Sequence, residues 1–277
     1  MKMPFPMDVL LQKASRRNPL GILCVLGIAL GLPLLVYGVP TLAAKNEHRV
    51  NTIVLVLVHG AFADGSSWSP VIERLTAMGY NVTAVQNPMT SLKDDVLATE
   101  RVLRRQTGDV LLVGHSWAGA VITQAGNASN VKGLVYLSAL VPDNGESAGD
   151  LLARLKAPMT GLTPDADGLI WLDDPAQFHH VMAADLPMQK VKLMTAVQQP
   201  IASACFTEKV DHAAWHDKPS WYLQTTDDQA VSLSTQRAIA QQIGAKAVSI
   251  HSSHLSLVSH PDAVAQLIDH AASESGR

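Results

Sequence analysis

The stretch VGHSWAGAV, residues 113–121, sets Ser116 among small residues directly after an apolar run. A hydroxyl held where the backbone must turn sharply is the arrangement of a nucleophile elbow, G-x-S-x-G, which leaves a strand and enters a helix. The five positions here are Gly114, His115, Ser116, Trp117 and Ala118, so the last glycine of the pattern is displaced by one, to Gly119. Serine is a weak nucleophile at neutral pH; it needs a base to take its proton and an acid to orient that base. Behind such an elbow the acid and then the base follow late in the chain. Asp227 and Asp228 close one late apolar run, and His251, His254 and His260 follow the next. His254 falls in the loop just past that run and is the expected base. His251 is expected as the last residue of the strand and His260 at the start of the terminal helix. Side chains on an extended end alternate, so one aspartate faces the histidine and the other is free to cap the following turn.

A tetrahedral intermediate also needs two N–H groups aimed at its developing negative charge. Trp117, the residue after the serine, offers one. The loop after the first strand, HGAFADGSSW, offers the other, from Ala61 or its neighbour Phe62, with Gly60 letting the backbone bend. His59 is expected to hold that loop by hydrogen bonds rather than to act as a base. Other candidates are weaker. His212 and His216 have the spacing of helix neighbours and could grip a metal, but no third ligand stands near them. His179 and His180 are expected to be exposed. The spacing of glycines after the first strand does not match a phosphate or dinucleotide loop.

These residues need a scaffold, and the chain alternates two periodicities from residue 51 onward. TIVLVLVHG, NVTAVQNP, DVLLVGHS, VKGLVYLSALVP, KPSWYLQTTDD and AKAVSIHSSH read as strands, several of them apolar without a break, as strands buried on both faces are. SPVIERLTAMGY, SLKDDVLATERVLRRQTG, WAGAVITQAGN, STQRAIAQQIG and PDAVAQLIDHAA have helical spacing. Such alternation predicts an α/β fold with a doubly wound, mostly parallel sheet. Between about residues 141 and 218 the alternation lapses into short helix-like pieces, DLLARLKAP, DPAQFHHVMAADLP and MQKVKLMTAVQQP. This is too long for a plain connection. It is expected to be a helical cap inserted after the strand that follows the nucleophile helix, with Met159, Trp171, Phe178, Met182, Met188, Met194 and Phe206 lining an adaptable apolar pocket or seating the cap.

The chain has 277 residues, is 47% hydrophobic and carries a net charge of −3. Residues 1–20 hold Lys2, Lys13, Arg16 and Arg17 against Asp8, a net of +3, which leaves −6 for the rest. A mildly acidic domain offers no broad positive field for nucleic acid. After the basic residues comes an apolar run from about Leu20 to Val39, ending in Thr41, Leu42, Ala43 and Ala44. That layout predicts a signal peptide over 1–44, or an N-terminal membrane anchor of the same span if it stays uncleaved. Ser15-Arg16-Arg17 is similar to a twin-arginine signal, though Pro19 replaces the usual aromatic. Either reading places the domain at 45–277 outside the cytoplasm, periplasmic or secreted in one case and membrane-anchored in the other. Of the two cysteines, Cys24 lies in this segment and only Cys205 remains for the domain, which therefore forms no disulfide of its own.

VLVHGAFADGSSWSPVIERL, VGHSWAG, LVYLSALVP, TTDDQAV and SSHLSLVSHP together resemble the α/β-hydrolase superfamily, in its small branch that uses no cofactor and includes plant methylesterases, hydroxynitrile lyases and bacterial esterase-like hydrolases. The likeness covers about residues 52–273. It implies Ser116 as nucleophile, Asp228 as acid and His254 as base, with the backbone of Ala61 and Trp117 as oxyanion hole. It also implies no cofactor and no metal, with a small-molecule ester as substrate; from the leader, the membrane is expected to be met only through the N-terminal segment, if that stays uncleaved. The lyases carry a threonine at the position of Gly60 and a lysine at that of Gln229, so the resemblance favours a serine esterase working through an acyl-enzyme. The same fold also hosts ligand-sensing receptors, and lyases or cofactor-free oxygenases.

Overall fold

The computed structural model describes residues 52–159 and 161–275; the segment expected as signal peptide or anchor lies outside the described residues. Among the described residues no helix is long and apolar enough to cross a membrane.

Six parallel strands form the main sheet: β1 (Val54–Val58), β2 (Asn81–Val85), β3 (Val110–His115), β4 (Val131–Leu137), β7 (Ser220–Thr225) and β8 (Lys246–Ile250), in the order β2-β1-β3-β4-β7-β8. Every residue of β1 and β3 is buried, on both faces of the sheet. Hence their unbroken Val/Leu runs: an alternating pattern would have put polar side chains into a core. Of the outer strands, β8 is exposed along most of its length and β2 is half-buried, as edges are.

The helices between the strands are α1 (Ser69–Ala77), α2 (Leu92–Leu103), α3 (Ala118–Ala125), α7 (Leu233–Gln242), the single turn α8 (Ser256–Ser259) and α9 (Pro261–Ser275). α1 packs against α9 and α2 against α3. Their starts follow local chemistry. The Ser91 hydroxyl accepts the Asp94 N–H at the head of α2, and Ser232 does the same for Thr235 at the head of α7, a cap worth about 1 kcal/mol. The strand order reverses between β1 and β3, which are parallel neighbours in the sheet, and the crevice at such a switch is where open α/β sheets bind ligands. His59–Phe62 and Ser116 lie there, straight after the two strands.

Between β4 and β7 the insertion folds as α4 (Ala148–Arg154), β5 (Leu169–Ile170), α5 (Pro175–Met182), α6 (Met188–Val197) and β6 (Ile201–Ala202). The three helix-like pieces are thus α4, α5 and α6. The antiparallel pair β5 and β6 is new; two residues per strand are too few to leave a periodic signal.

Candidate active site

Ser116 follows β3 with φ +56, in the left-handed region that non-glycine residues rarely adopt. Its backbone is held on both sides: its N–H donates to Leu137 O at 3.0 Å, and its carbonyl accepts Gly119 N at 3.0 Å and Leu140 N at 3.1 Å. The displaced glycine of the motif now has a reason. A Cβ on Gly119 would drive into the Leu140 carbonyl, whereas Ala118 sits buried where its methyl fits. Gly60 is needed for the same kind of reason. A Cβ there would lie 2.8 Å from both His115 O and Ser116 Cβ. The expected bend at Gly60 is carried instead by Phe62, with φ +57. Glycine at 60 serves the close approach of the two loops.

β7 and β8 pair up to Thr225 and Ile250, and hydrogen bonds from Thr226 N to Ile250 O and from Asp227 N to Ser252 O extend that pairing into the loops beyond. Asp228 and His254 are thereby brought side by side. Asp228 Oδ2 and His254 Nδ1 lie 2.7 Å apart, and both side chains are fully buried. The carboxylate is crowded with donors. Oδ2 also accepts Thr225 Oγ1–H at 2.8 Å and Gln236 Nε2–H at 3.1 Å, while Oδ1 accepts the N–H groups of Ala230 and Val231, each at 2.8 Å. With Nδ1–H donating to the carboxylate, the lone pair of the imidazole sits on Nε2. That atom is buried and has no hydrogen-bond partner.

Asp227 points the other way, as strand alternation requires. It pairs with His251 Nδ1 at 2.8 Å in solvent. The expectation that the second aspartate caps the turn is corrected: the turn's N–H groups go to Asp228 itself. His260 stands just ahead of α9, 3.6 Å from Asp185.

One cavity of about 430 Å³ joins these parts. Ser116, His254, Ala61, Phe62 and Trp117 line its floor, and Leu140, Leu152, Val181, Met182 and Phe206 its walls. A second cavity of the same size lies beyond Phe62, against α1 and α6. The N–H groups of Ala61, Phe62 and Trp117 have no acceptor among the described residues. His180 and Gln177 are exposed at the rim. His179 is half-buried, with Nε2 donating to Leu186 O at 3.2 Å.

His59 is buried and stitches its loop to the chain after β2: Nε2 accepts Asn87 N–H at 3.0 Å and Nδ1 donates to Gly60 O at 3.0 Å. Burial lowers its pKa. His212 and His216 do not share a ligand. Each faces its own carboxylate, Asp217 at 2.6 Å and Asp143 at 2.7 Å.

Four supporting residues escape the sequence reading. His115 donates from Nε2 to the backbone carbonyl of His254 at 2.9 Å, with ring centroids 4.7 Å apart; burial holds its pKa well below the ordinary value, so the ring is neutral. Gln236 spans Asp228, Thr225 and Val231. Its place three and four residues before Ile239 and Ala240, on the buried stripe of α7, is a signal that could have revealed it. Asp95 interrupts the buried stripe of α2 in the same manner. Asp185, in the corner between α5 and α6, takes the hydroxyl and N–H of Ser253 and the hydroxyl of Ser252. Burial acts to raise its pKa, but those serine hydrogen bonds outweigh it and hold the carboxyl low.

A family model described as alpha/beta hydrolase family matches residues 55–267, most of the chain. The chain belongs to that family. Alpha/beta hydrolase nvfD of Aspergillus novofumigatus is 28% identical over 247 residues, 80% of this chain and 97% of its own. A pyrethroid hydrolase of Sphingobium wenxiniae is 25% identical over 241 residues, covering 77% and 85% of the two chains. Among solved structures, a methylesterase from Arabidopsis superposes with TM-score 0.67 at 20% identity over 80% of this chain and 99% of its own. The mostly parallel sheet with helices around it is the fold that this chain shares with that solved structure.

Proposed function

We propose that the chain is a carboxylic ester hydrolase in which Ser116 is the nucleophile, His254 the general base and Asp228 the acid that orients it. The observation that carries the reading is the buried Asp228–His254 pair, whose unpartnered Nε2 and Ser116 share one cavity. Ser116 Oγ attacks the ester carbonyl carbon and its proton passes to His254 Nε2. The oxygen that gains charge is met by the N–H groups of Ala61 and Trp117. Collapse of the intermediate returns the proton from His254 to the leaving alcohol and leaves an acyl group on Ser116. Water, deprotonated by the same imidazole, then releases the acid. The Asp228 carboxylate fixes the tautomer that makes Nε2 the acceptor and stabilises the imidazolium. Relatives named as hydrolases, among them one named for pyrethroids, support ester chemistry. Gly60 and Gln229 support it over cyanohydrin cleavage. A cavity of about 430 Å³ walled by apolar side chains suits a small organic ester.

A fluorophosphonate probe tests this directly. Wild type should be labelled on Ser116 alone, and Ser116→Ala should lose labelling and several orders of magnitude of turnover while keeping its fold. Labelling at another residue, or full turnover in the alanine variant, refutes the mechanism.

We further propose that residues 1–44 export the domain as a signal peptide or hold it outside the cytoplasm as an anchor. The basic residues ahead of the apolar run support this. Cell fractionation with N-terminal sequencing distinguishes the two: a soluble exported form starting near Ala44 or Lys45, or a membrane-bound form with Met1 retained. A cytosolic protein with Met1 retained refutes both.

A further inference from the structure

The carboxyl of Asp95 takes no part in the steps above, yet it reaches the elbow from behind. It lies in the first turn of α2 on the face that buries Leu92, Val96, Thr99 and Leu103, and it is itself fully buried. Oδ2 accepts the indole N–H of Trp117 at 2.8 Å and Oδ1 the backbone N–H of Met89 at 2.8 Å. The charges that act on it are the carboxylates of Asp94 and Glu208, and the thiol of Cys205 lies within its field. All of these repel negative charge or leave it uncompensated. Burial pushes the Asp95 carboxyl up to about 6, against the pull of the hydrogen bonds from Trp117 and Met89. A buried acid without a counter-ion weakens a fold at neutral pH, so packing does not account for an aspartate on this stripe.

Its partner does. The Trp117 ring is buried between Asp95 and Phe206, whose ring centroid lies 5.3 Å away. The backbone of the same residue borders the cavity beside Ser116. Met89 is tied in as well: its φ is +59, and its carbonyl accepts Ala202 N from β6 at 2.9 Å. A single carboxylate thus joins α2, the loop ahead of it and the residue after the nucleophile.

We propose that Asp95 is a positioning residue for the oxyanion site: its carboxylate fixes the Trp117 indole and so the direction of the Trp117 backbone N–H. The proposal rests on the hydrolase reading above. The two can fail separately.

The test compares wild type, Asp95→Asn, Trp117→Phe and the double variant on one ester and with one trifluoromethyl ketone, which adds to the serine as a tetrahedral oxyanion. An asparagine keeps one acceptor for two fixed donors and turns its NH₂ toward the other. kcat should fall about ten- to hundredfold, somewhat less than loss of a whole oxyanion donor, with KM within about twofold. Ketone affinity should fall in step with kcat, an effect that mere loosening of the fold would not produce. Trp117→Phe deletes the Asp95–Trp117 hydrogen bond and Asp95→Asn disrupts the acceptor pair that makes it, so the double variant should be no worse than the poorer single. If Asp95→Asn does not fold, Trp117→Phe carries the test, since it keeps an aromatic ring at the site and removes the N–H donor, and ketone affinity falling in step with kcat separates that loss from the space left by the smaller ring. Variants that match wild type in kcat and ketone affinity, or losses that multiply in the double variant, overturn the proposal. A wild type that neither turns over esters nor binds the ketone overturns the hydrolase reading, and this proposal with it.

Discussion

Asp228→Asn is the substitution whose consequences the geometry defines most tightly. The new amide keeps the shape of the carboxylate but must place its NH₂ at one of two oxygen sites. At the Oδ1 site it would face the N–H groups of Ala230 and Val231, both backbone donors at 2.8 Å that cannot turn away. At the Oδ2 site it would face His254 Nδ1, Thr225 Oγ1 and Gln236 Nε2. The hydroxyl can rotate, but the Gln236 amide already spans Thr225 and Val231. The imidazole then has to move its proton to Nε2, which blocks the atom that should accept from Ser116. Either placement strands buried donors, at a cost of about 1–3 kcal/mol to the fold. The second also removes the working tautomer, for which about four orders of magnitude in turnover is the expected loss. Asp227→Asn touches only a solvent pair with His251 and should stay within about tenfold of wild type. Hydrolysis of one chromogenic ester by both variants, with urea unfolding of each, gives the comparison. An active Asp228→Asn beside a dead Asp227→Asn refutes the assignment and the tautomer reasoning together.

Three further outcomes follow from the geometry. His254→Ala should be as damaging as Ser116→Ala, while His251→Ala and His260→Ala should retain most turnover, because His251 pairs with Asp227 in solvent and His260 stands 3.6 Å from Asp185, whose hold on Ser252 and Ser253 does not need it; steady-state kinetics of the three on one ester decides this. The Asp95 carboxyl titrates at about 6 in the fold against an ordinary 3.8, so within that window the folded chain keeps a proton that the unfolded chain has lost. Its contribution is therefore most favourable below the lower value, and stability declines as pH rises toward the higher one, by about 3 kcal/mol in all. Asp95→Asn should remove that decline, and urea midpoints measured between about pH 4 and pH 7 would contradict this if the two proteins ran parallel. Gly60→Ala should cost about 1–3 kcal/mol and most of the turnover, since the methyl meets His115 O and Ser116 Cβ; a variant with normal kcat would show that the two loops yield there.

The sheet was readable because β1 and most of β3 are unbroken valine and leucine runs, the pattern of strands covered on both faces, and β4 and β7 repeat it in interrupted form between helical stretches. The places of Ser116, Asp228 and His254 in the fold were readable for a related reason. They stand just past strand ends, so locating the strands located them. Ala61 and Trp117 follow from chain position in the same way. The residues that support them were not readable, because their meaning lies in partners remote along the chain. Asp185 serves Ser253 from 68 residues away, and the Trp117 indole meets Asp95 across 22. Gln236 and Asp95 did leave a mark, a polar side chain on an otherwise buried stripe. That mark says a partner is inside without saying which. The role of Gly60 was misplaced for want of the second loop: a bend needs only local geometry, whereas a close approach needs both surfaces.

The corner between α5 and α6 is bolted to the loop that carries His254. Asp185 holds Ser252 and Ser253, and the Met182 carbonyl accepts Leu255 N at 3.0 Å. Rocking this corner outward would drag the imidazole with it, so this half of the insertion is part of the hinge post and not of the door. Leu152, Pro158, Met159 and Leu162 border the same cavity without any such bond to the loop that carries His254. Descent with altered specificity is thereby confined to one side. Changes around α4 can reshape what enters while Asp228 and His254 keep their alignment, whereas an insertion or deletion at the α5–α6 corner would move the His254 loop as well.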